Sequence, residues 1–226
     1  MTDNRIGIVF ENEKYIVIKK KAGIAVQTSS VSSPDVCSLL KNHLKGGYLG
    51  VVHRLDQPVE GLLVFAKDKK TAGRLTEDLS SGRLKKTYKA VCMGELTESG
   101  SDICYMKKGS DNRCIIGEGP DYKKAELSYK LIASREGVSL VLITIGTGRF
   151  HQIRAQMASL GHPILGDEKY GSPESRQLSE KMGIRFPALC AHRLSLYDED
   201  ERKMKDFSMR PENKAFEIFF DRLNDE

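Results

Sequence analysis

The 226-residue chain has no run approaching the ~20 apolar residues that a membrane-crossing helix requires. Its opening, MTDNRIGIVF, has neither the charged start nor the apolar centre of a secretion signal, so the cytoplasm is the expected compartment. Cysteine is scarce. Cys37, Cys92, Cys104, Cys114 and Cys190 are odd in number and form no C-x-x-C pair, which argues against a disulfide framework and against a zinc ribbon. They read as small, reduced core residues. His43, His53, His151, His162 and His192 show no metal-ligand spacing, so no metal site is expected and a metal-dependent hydrolase is disfavoured. No Gly/Ser-rich linker and no internal repeat divides the chain. What is present is an ordinary globular composition, 39% hydrophobic and 30% charged, with length enough for a substantial core in a single domain, 1–226.

The net charge of +5 is concentrated. Between Lys67 and Lys89 there are eight Lys/Arg against three Asp/Glu, a local +5, and the rest of the chain balances. Such a segment suits a polyanion, because each phosphate it neutralises releases condensed counterions. By composition alone, a solvated helix face explains it equally well.

Periodicity predicts the scaffold. IGIVF, ENE and KYIVIKK form a hairpin around a polar turn. SSPD followed by CSLLKNHLKGG predicts a capped helix with a glycine stop. GLLVFAKD is a buried strand, TAGRLTEDLSSG a helix with Leu75 and Leu79 on one side, and KTYKAVCMG a strand. AELSYKLIASREGVSLVLITIG predicts two strands around a short REG turn, HQIRAQMASLG a helix, and NKAFEIFFDRL a closing helix. The order is α+β with much antiparallel pairing and no regular βαβ repeat.

Three polar constellations interrupt this scaffold. HRLD, His53 to Asp56, sits at the approach to a buried strand, where a carboxylate is costly unless paired. Asp56 alternatively caps a turn at Gln57–Pro58. A kinase catalytic loop also begins His-Arg, but no Gly-rich phosphate loop precedes it and no Asn follows at the required spacing. The second constellation is GRFHQIRAQMASLGHPILGDEKYG. A helix over His151 to Leu160 would turn Ile153, Met157 and Leu160 to the core and leave His151, Arg154, Ala155 and Ala158 on the other side. Gly148 and Arg149 precede its start, where backbone N–H groups favour an anion such as phosphate. His162 and Asp167 read as turn residues. The third is Tyr88, on a strand directly after the basic stretch, where packing is the usual role.

HRLD with a following glycine and GLLVFAK, then K-x-Y-x-A-V-x-x-G, then GRFHQIRAQMASLGHPILGDEKYG, then ALCAHRLSL, resemble in order and spacing the RluA-type pseudouridine synthases. The resemblance runs from about Ile8 to Phe220. It implies a curved mixed, largely antiparallel sheet flanked by helices, with a basic cleft. It also implies no cofactor, and isomerisation of uridine in ribosomal or transfer RNA to pseudouridine. By the same resemblance Asp56 is the essential carboxylate, acting as nucleophile or as base on a ribose proton. Arg154 pairs with it and keeps it ionised. Tyr88 stacks on the target base and takes the proton from carbon 5. Arg54 fills the gap left by the extruded base, a step that is cheapest in loops. His53, Arg149, His151, Gln152, Leu189, Lys85 and Lys86 are the further RNA- or substrate-binding candidates.

The chain departs from the family pattern at Val59 and Glu60, where Thr-Ser is common, at KKAG in place of KPAG, and at Gln156 in place of a second histidine. No N-terminal RNA-binding domain is expected, and a monomer without an obligate protein partner or a membrane is. A binding or ribosome-assembly factor on the same fold is the alternative. Retention of Asp56, Tyr88 and Arg154 argues against it.

Overall fold

Asn12 makes the opening hairpin possible: its side-chain oxygen accepts from the backbone N–H of Lys14 and Tyr15 at 2.9 and 2.8 Å. This closes the turn between β1 (Ile6–Glu11) and β2 (Tyr15–Lys20), which pair antiparallel. The computed structural model describes residues 3–28 and 33–223, which fall into two compact units. Met1–Lys86 with Ala191–Arg210 form one, and Thr87–Cys190 with Pro211–Glu226 the other.

In the first unit β2 pairs antiparallel with β4 (Glu60–Ala66), whose seven residues are all buried. The short β3 (Gly50–Val51) also pairs with β4. Burial on both faces explains why LLVFA is a continuous apolar run and not an alternating one. Next to β4 lies β10 (Leu189–Asp198), which pairs antiparallel with β11 (Lys203–Ser208). Strand contact there requires a glycine. At Gly61, with φ of +146°, a Cβ would lie 2.5 Å from the Ala191 Cβ and 2.6 Å from its backbone nitrogen. Helix α1 (Val36–His43) begins with a capping box between Asp35 and Ser38, with reciprocal bonds of 2.7 and 3.0 Å. Of the SSPD segment, Ser32 lies outside the described residues. Helix α2 (Lys69–Ser80) is capped by Asp68 and buries Leu75 completely and Leu79 partly.

The second unit is an antiparallel sheet in the order β5 (Lys85–Met93, from Thr87 onward), β9 (Val138–Ile145), β8 (Lys123–Arg135), β6 (Ser99–Lys108), β7 (Cys114–Ile116). Glu136 and Gly137 join β8 to β9 with both φ values positive, 53° and 73°, as a two-residue hairpin matched to strand twist requires. Its helices are α3 (Gln152–Ser159) and α4 (Pro173–Met182). Periodicity predicts no element at β3, β6, β7, β10, β11 or α4. For α4 the signals were there, with Ser172 as cap, Pro173 in the first turn and Gly183 as the left-handed stop.

Two expectations need correction. The closing segment, Lys214–Arg222, is a 3-10 helix broken at Phe219, where φ is −115° and ψ 27°. Leu160 is not core: it caps α3 and is 37% exposed, while Ile153 and Met157 are buried as expected. The chain is α+β, built on largely antiparallel sheet with few helices. No described helix is long and apolar enough to cross a membrane.

Candidate active site

The HRLD segment lies between β3 and β4 without regular structure. The Asp56 carbonyl accepts from Val59 N–H at 3.0 Å, so Gln57–Pro58 do form the turn expected beside this aspartate. That turn is strapped from below. Lys20, fully buried at the end of β2, donates from Nζ to the carbonyls of Lys21 (3.1 Å), Ile24 (2.8 Å) and Gln57 (3.0 Å). Gly23 N–H donates to the Gln57 carbonyl at 2.9 Å, and Gln57 Nε2 returns a bond to the Gly23 carbonyl at 3.0 Å. The KKAG turn thus immobilises the residue that follows Asp56.

Burial pulls the Lys20 pKa down to about 7, against the opposing pull of Asp56 and Glu60. A lysine pKa lower in the folded than in the unfolded chain means that the unfolded chain binds more protons between pH 7 and about 10. The Lys20 contribution to stability is therefore expected to rise with pH across that window. Lys20→Met removes the rise and takes the Lys20 donor from the carbonyls of Lys21 and Ile24, at about 1–3 kcal/mol for each buried acceptor left unsatisfied, while the Gln57 carbonyl keeps its bond from Gly23 N–H. Denaturant unfolding of both proteins at pH 7 and pH 9 checks this. Equal stability, or parallel pH dependence, would contradict the strap.

His53 is buried; its Nε2 accepts from Val64 N–H at 3.4 Å, and Nδ1 has no hydrogen-bond partner among the described residues. Burial first, and Lys86 second, hold its pKa well below the ordinary 6.5, so the ring is neutral and fastens the loop to β4. Arg54 beside it is exposed.

The basic segment is less uniform than its composition suggests. Lys67 is tied to Glu11 at 2.8 Å, Arg74 to Asp78 at 3.6 Å and Arg83 to Asp78 at 2.8 Å. Lys89 is buried, and its Nζ donates to the Leu223 carbonyl at 2.9 Å. Lys69, Lys70 and Lys85 are exposed and Lys86 is half-buried, where burial lowers its pKa to about 8.

In the second unit the HQIR segment opens α3. His151 caps it in a left-handed conformation, φ 53°. Gln152 Oε1 accepts from Arg149 N–H at 2.9 Å and from the Thr147 hydroxyl at 2.8 Å, while its Nε2 donates to the Glu126 carbonyl at 2.9 Å. The chain's own side chain thus takes the Arg149 N–H that was read as part of an anion site. Gln152 through Met157 are all buried, so α3 has no polar outer side of the kind its periodicity implied. Arg154 Nε and Nη2 donate to the two carboxylate oxygens of Asp167 at 2.6 and 2.7 Å, both side chains essentially inaccessible. Tyr88 is buried on β5 opposite Ile143, and Leu189 is 3% exposed.

The structure thus gathers Arg149, His151, Gln152 and Arg154 around the start of α3 in one unit, and His53, Arg54 and Asp56 on one loop of the other. Lys20 is a participant that the sequence did not single out, and Asp167, read as a turn residue, is also the partner of Arg154. Their signals were the KKAG turn and the GDEKYG turn. Among the described residues no group of three or more His, Cys, Asp or Glu could hold a metal ion.

Residues 14–159 match the family model described as RNA pseudouridylate synthase. Ribosomal large subunit pseudouridine synthase D of Haemophilus influenzae is 31% identical over 172 residues, covering 74% of this chain and 53% of that protein. The Bacillus subtilis protein named uncharacterized RNA pseudouridine synthase YhcT is 35% identical over 174 residues, 74% of this chain and 58% of its own length. The chain therefore spans little more than half the length of these relatives. The solved structure of human RNA Pseudouridylate Synthase Domain Containing 4 has a TM-score of 0.76 at 21% identity, over 93% of this chain and 92% of that one. It shares the fold. With the matched region holding HRLD, K-x-Y and HQIR together, the chain belongs to the RNA pseudouridylate synthases, in their RluA-type branch.

Proposed function

We propose that the chain is an RNA pseudouridine synthase that isomerises a uridine in structured RNA, with Asp56 as its essential carboxylate. The match over residues 14–159, which contains Asp56, Tyr88 and Arg154, carries this reading. The Haemophilus influenzae relative is named as a ribosomal large subunit enzyme, which favours ribosomal over transfer RNA as substrate. The reaction cuts the bond between base and ribose, turns the base and rejoins it through carbon 5. Product and substrate are isomers, so neither an activated water nor a cofactor enters.

Asp56 starts the cleavage, as nucleophile on the ribose or as base toward a ribose proton; both roles need an ionised carboxylate. Arg154 supplies the neighbouring positive charge that keeps it so. Tyr88 stacks on the base and takes the carbon 5 proton. The exposed Arg54 fills the place of the extruded base. We assign His53, Gln152 and Leu189 to shaping the pocket and not to direct charge contacts, since His53 is neutral and the Gln152 amide is already bonded. The protein works as a cytoplasmic monomer in this reading.

The test is to incubate the protein with large-subunit ribosomal RNA transcripts, digest them to nucleosides and separate these by chromatography. A uridine isomer of unchanged mass is the expected product. Salt-dependent binding with no isomer would make the chain a binding factor. For the basic segment, Lys85→Glu with Lys69→Glu is expected to weaken RNA binding and to lower the slope of log affinity against log salt by about 1 to 2. An unchanged slope would leave these lysines as solvated surface. Lys86 is a poorer probe, because a glutamate there would sit half-buried.

A further inference from the structure

We infer that Asp167 and Tyr170, on the turn after α3, are positioning residues that aim the Arg154 guanidinium and hold the His151 ring. The turn is built for this. Asp167 Oδ1 accepts from the N–H of Lys169 at 3.0 Å and of Tyr170 at 3.2 Å, and Gly171 N–H donates to the Asp167 carbonyl at 2.8 Å. A Cβ at Gly171 would meet that carbonyl at 2.5 Å, so the turn closes this tightly only on glycine. From the other side, the Ser179 hydroxyl accepts from Gly166 N–H at 2.8 Å and anchors the turn to α4. Held from both ends, Asp167 grips Arg154 through two parallel bonds, a geometry that fixes the plane of the guanidinium as well as its place.

The Tyr170 ring lies beside the same group, 5.2 Å from the Arg154 Cζ. Its hydroxyl accepts from Cys114 N–H at 2.6 Å and lies 2.9 Å from His151 Nδ1. With one lone pair engaged by Cys114, the hydroxyl keeps its hydrogen and a second lone pair for the bond with Nδ1, which holds the imidazole in place. Phe150 stacks on the ring at 3.8 Å between centroids and holds its plane. The family reading pairs Arg154 with Asp56 and makes His151 a binding candidate; their direction comes from the turn behind them.

The consequence for rate rests on the synthase reading; the clamp itself does not. Asp167→Asn keeps an oxygen for Lys169 and Tyr170 but puts an amide against the Arg154 Nε–H. In single-turnover assays the rate is expected to fall about 100-fold, as for a misaimed catalytic group, with the Kd for RNA within about threefold of wild type. In ¹⁵N spectra, the slowly exchanging Arg154 Nε–H, identified by its absence in Arg154→Lys, is expected to disappear in Asp167→Asn. Should Asp167→Asn not fold, Asp167→Glu, which keeps the charge and shifts the carboxylate by a methylene, carries the same two readouts. Tyr170→Phe is expected to slow turnover about tenfold at unchanged Kd. A wild-type rate in the Asp167 variants, or an Arg154 Nε–H that survives them, would overturn the inference. If wild-type protein turns over no RNA, the synthase reading fails and the ¹⁵N result alone still decides the clamp.

Discussion

Asp56→Asn is expected to lower uridine isomerisation by at least about 10⁴-fold, the scale set by removing a catalytic carboxylate from other enzymes. Its Kd for RNA should move by less than about threefold, under 1 kcal/mol. The separation follows from how the loop is held. The turn is closed by backbone, Asp56 carbonyl to Val59 N–H, and anchored through Lys20 and Gly23 to the Gln57 carbonyl. None of these bonds uses the Asp56 carboxylate, so an isosteric amide leaves every one of them in place. Single-turnover kinetics with a parallel binding titration measure both quantities. A variant that keeps a tenth of the wild-type rate would remove Asp56 from the chemistry.

Arg154→Ala should be nearly as damaging, and for two reasons that separate experimentally. The first is chemical: turnover is expected to be almost lost while RNA still binds. The second is structural. Asp167 would be left as an unpaired carboxylate in a site with essentially no solvent access, which typically costs about 3–5 kcal/mol. For a chain of this size that amounts to a fall in Tm of roughly 10 °C. Arg154→Lys distinguishes the effects, since an ammonium supplies charge to the site but cannot make the paired bonds to both oxygens of Asp167. It should recover much of the stability and little of the rate. Unchanged turnover in Arg154→Ala would take the arginine out of the mechanism, and an unchanged Tm would contradict the buried pair.

Local rules exposed the elements whose causes are local. The Asn12 turn, the Asp35–Ser38 capping box and the Glu136–Gly137 hairpin are each decided within four residues, and each stands where pattern and turn chemistry put it. Helix α3 shows the limit. Its existence was legible, but its sides were not, because Gln152, Arg154 and Gln156 are buried and bonded to Glu126, Asp167 and Asp102. These partners lie 26, 13 and 54 residues away. A periodicity rule takes a polar residue as a solvated one, and it fails wherever tertiary partners satisfy the polarity. Lys20 escaped notice for the same reason, as a strand lysine whose three carbonyl acceptors lie on two separate turns. The basic segment erred in the opposite sense. Counting charge within a window cannot see Glu11 or the Leu223 carbonyl, which engage two of its eight cations from far along the chain. Asp167 was read correctly as a turn residue, yet the Arg154 pair that gives it consequence was not visible.

Joining carbon 5 of the base to the ribose expels the hydrogen at carbon 5, so tritium placed there enters water once for each uridine converted. Release from RNA of cells lacking this protein is therefore the measurement to make, with the wild-type chain beside Asp56→Ala. Stoichiometric release by wild type and none by the variant is the expected result. No release by the wild-type chain on that RNA, or equal release by both proteins, would contradict the assignment of pseudouridine synthesis to Asp56.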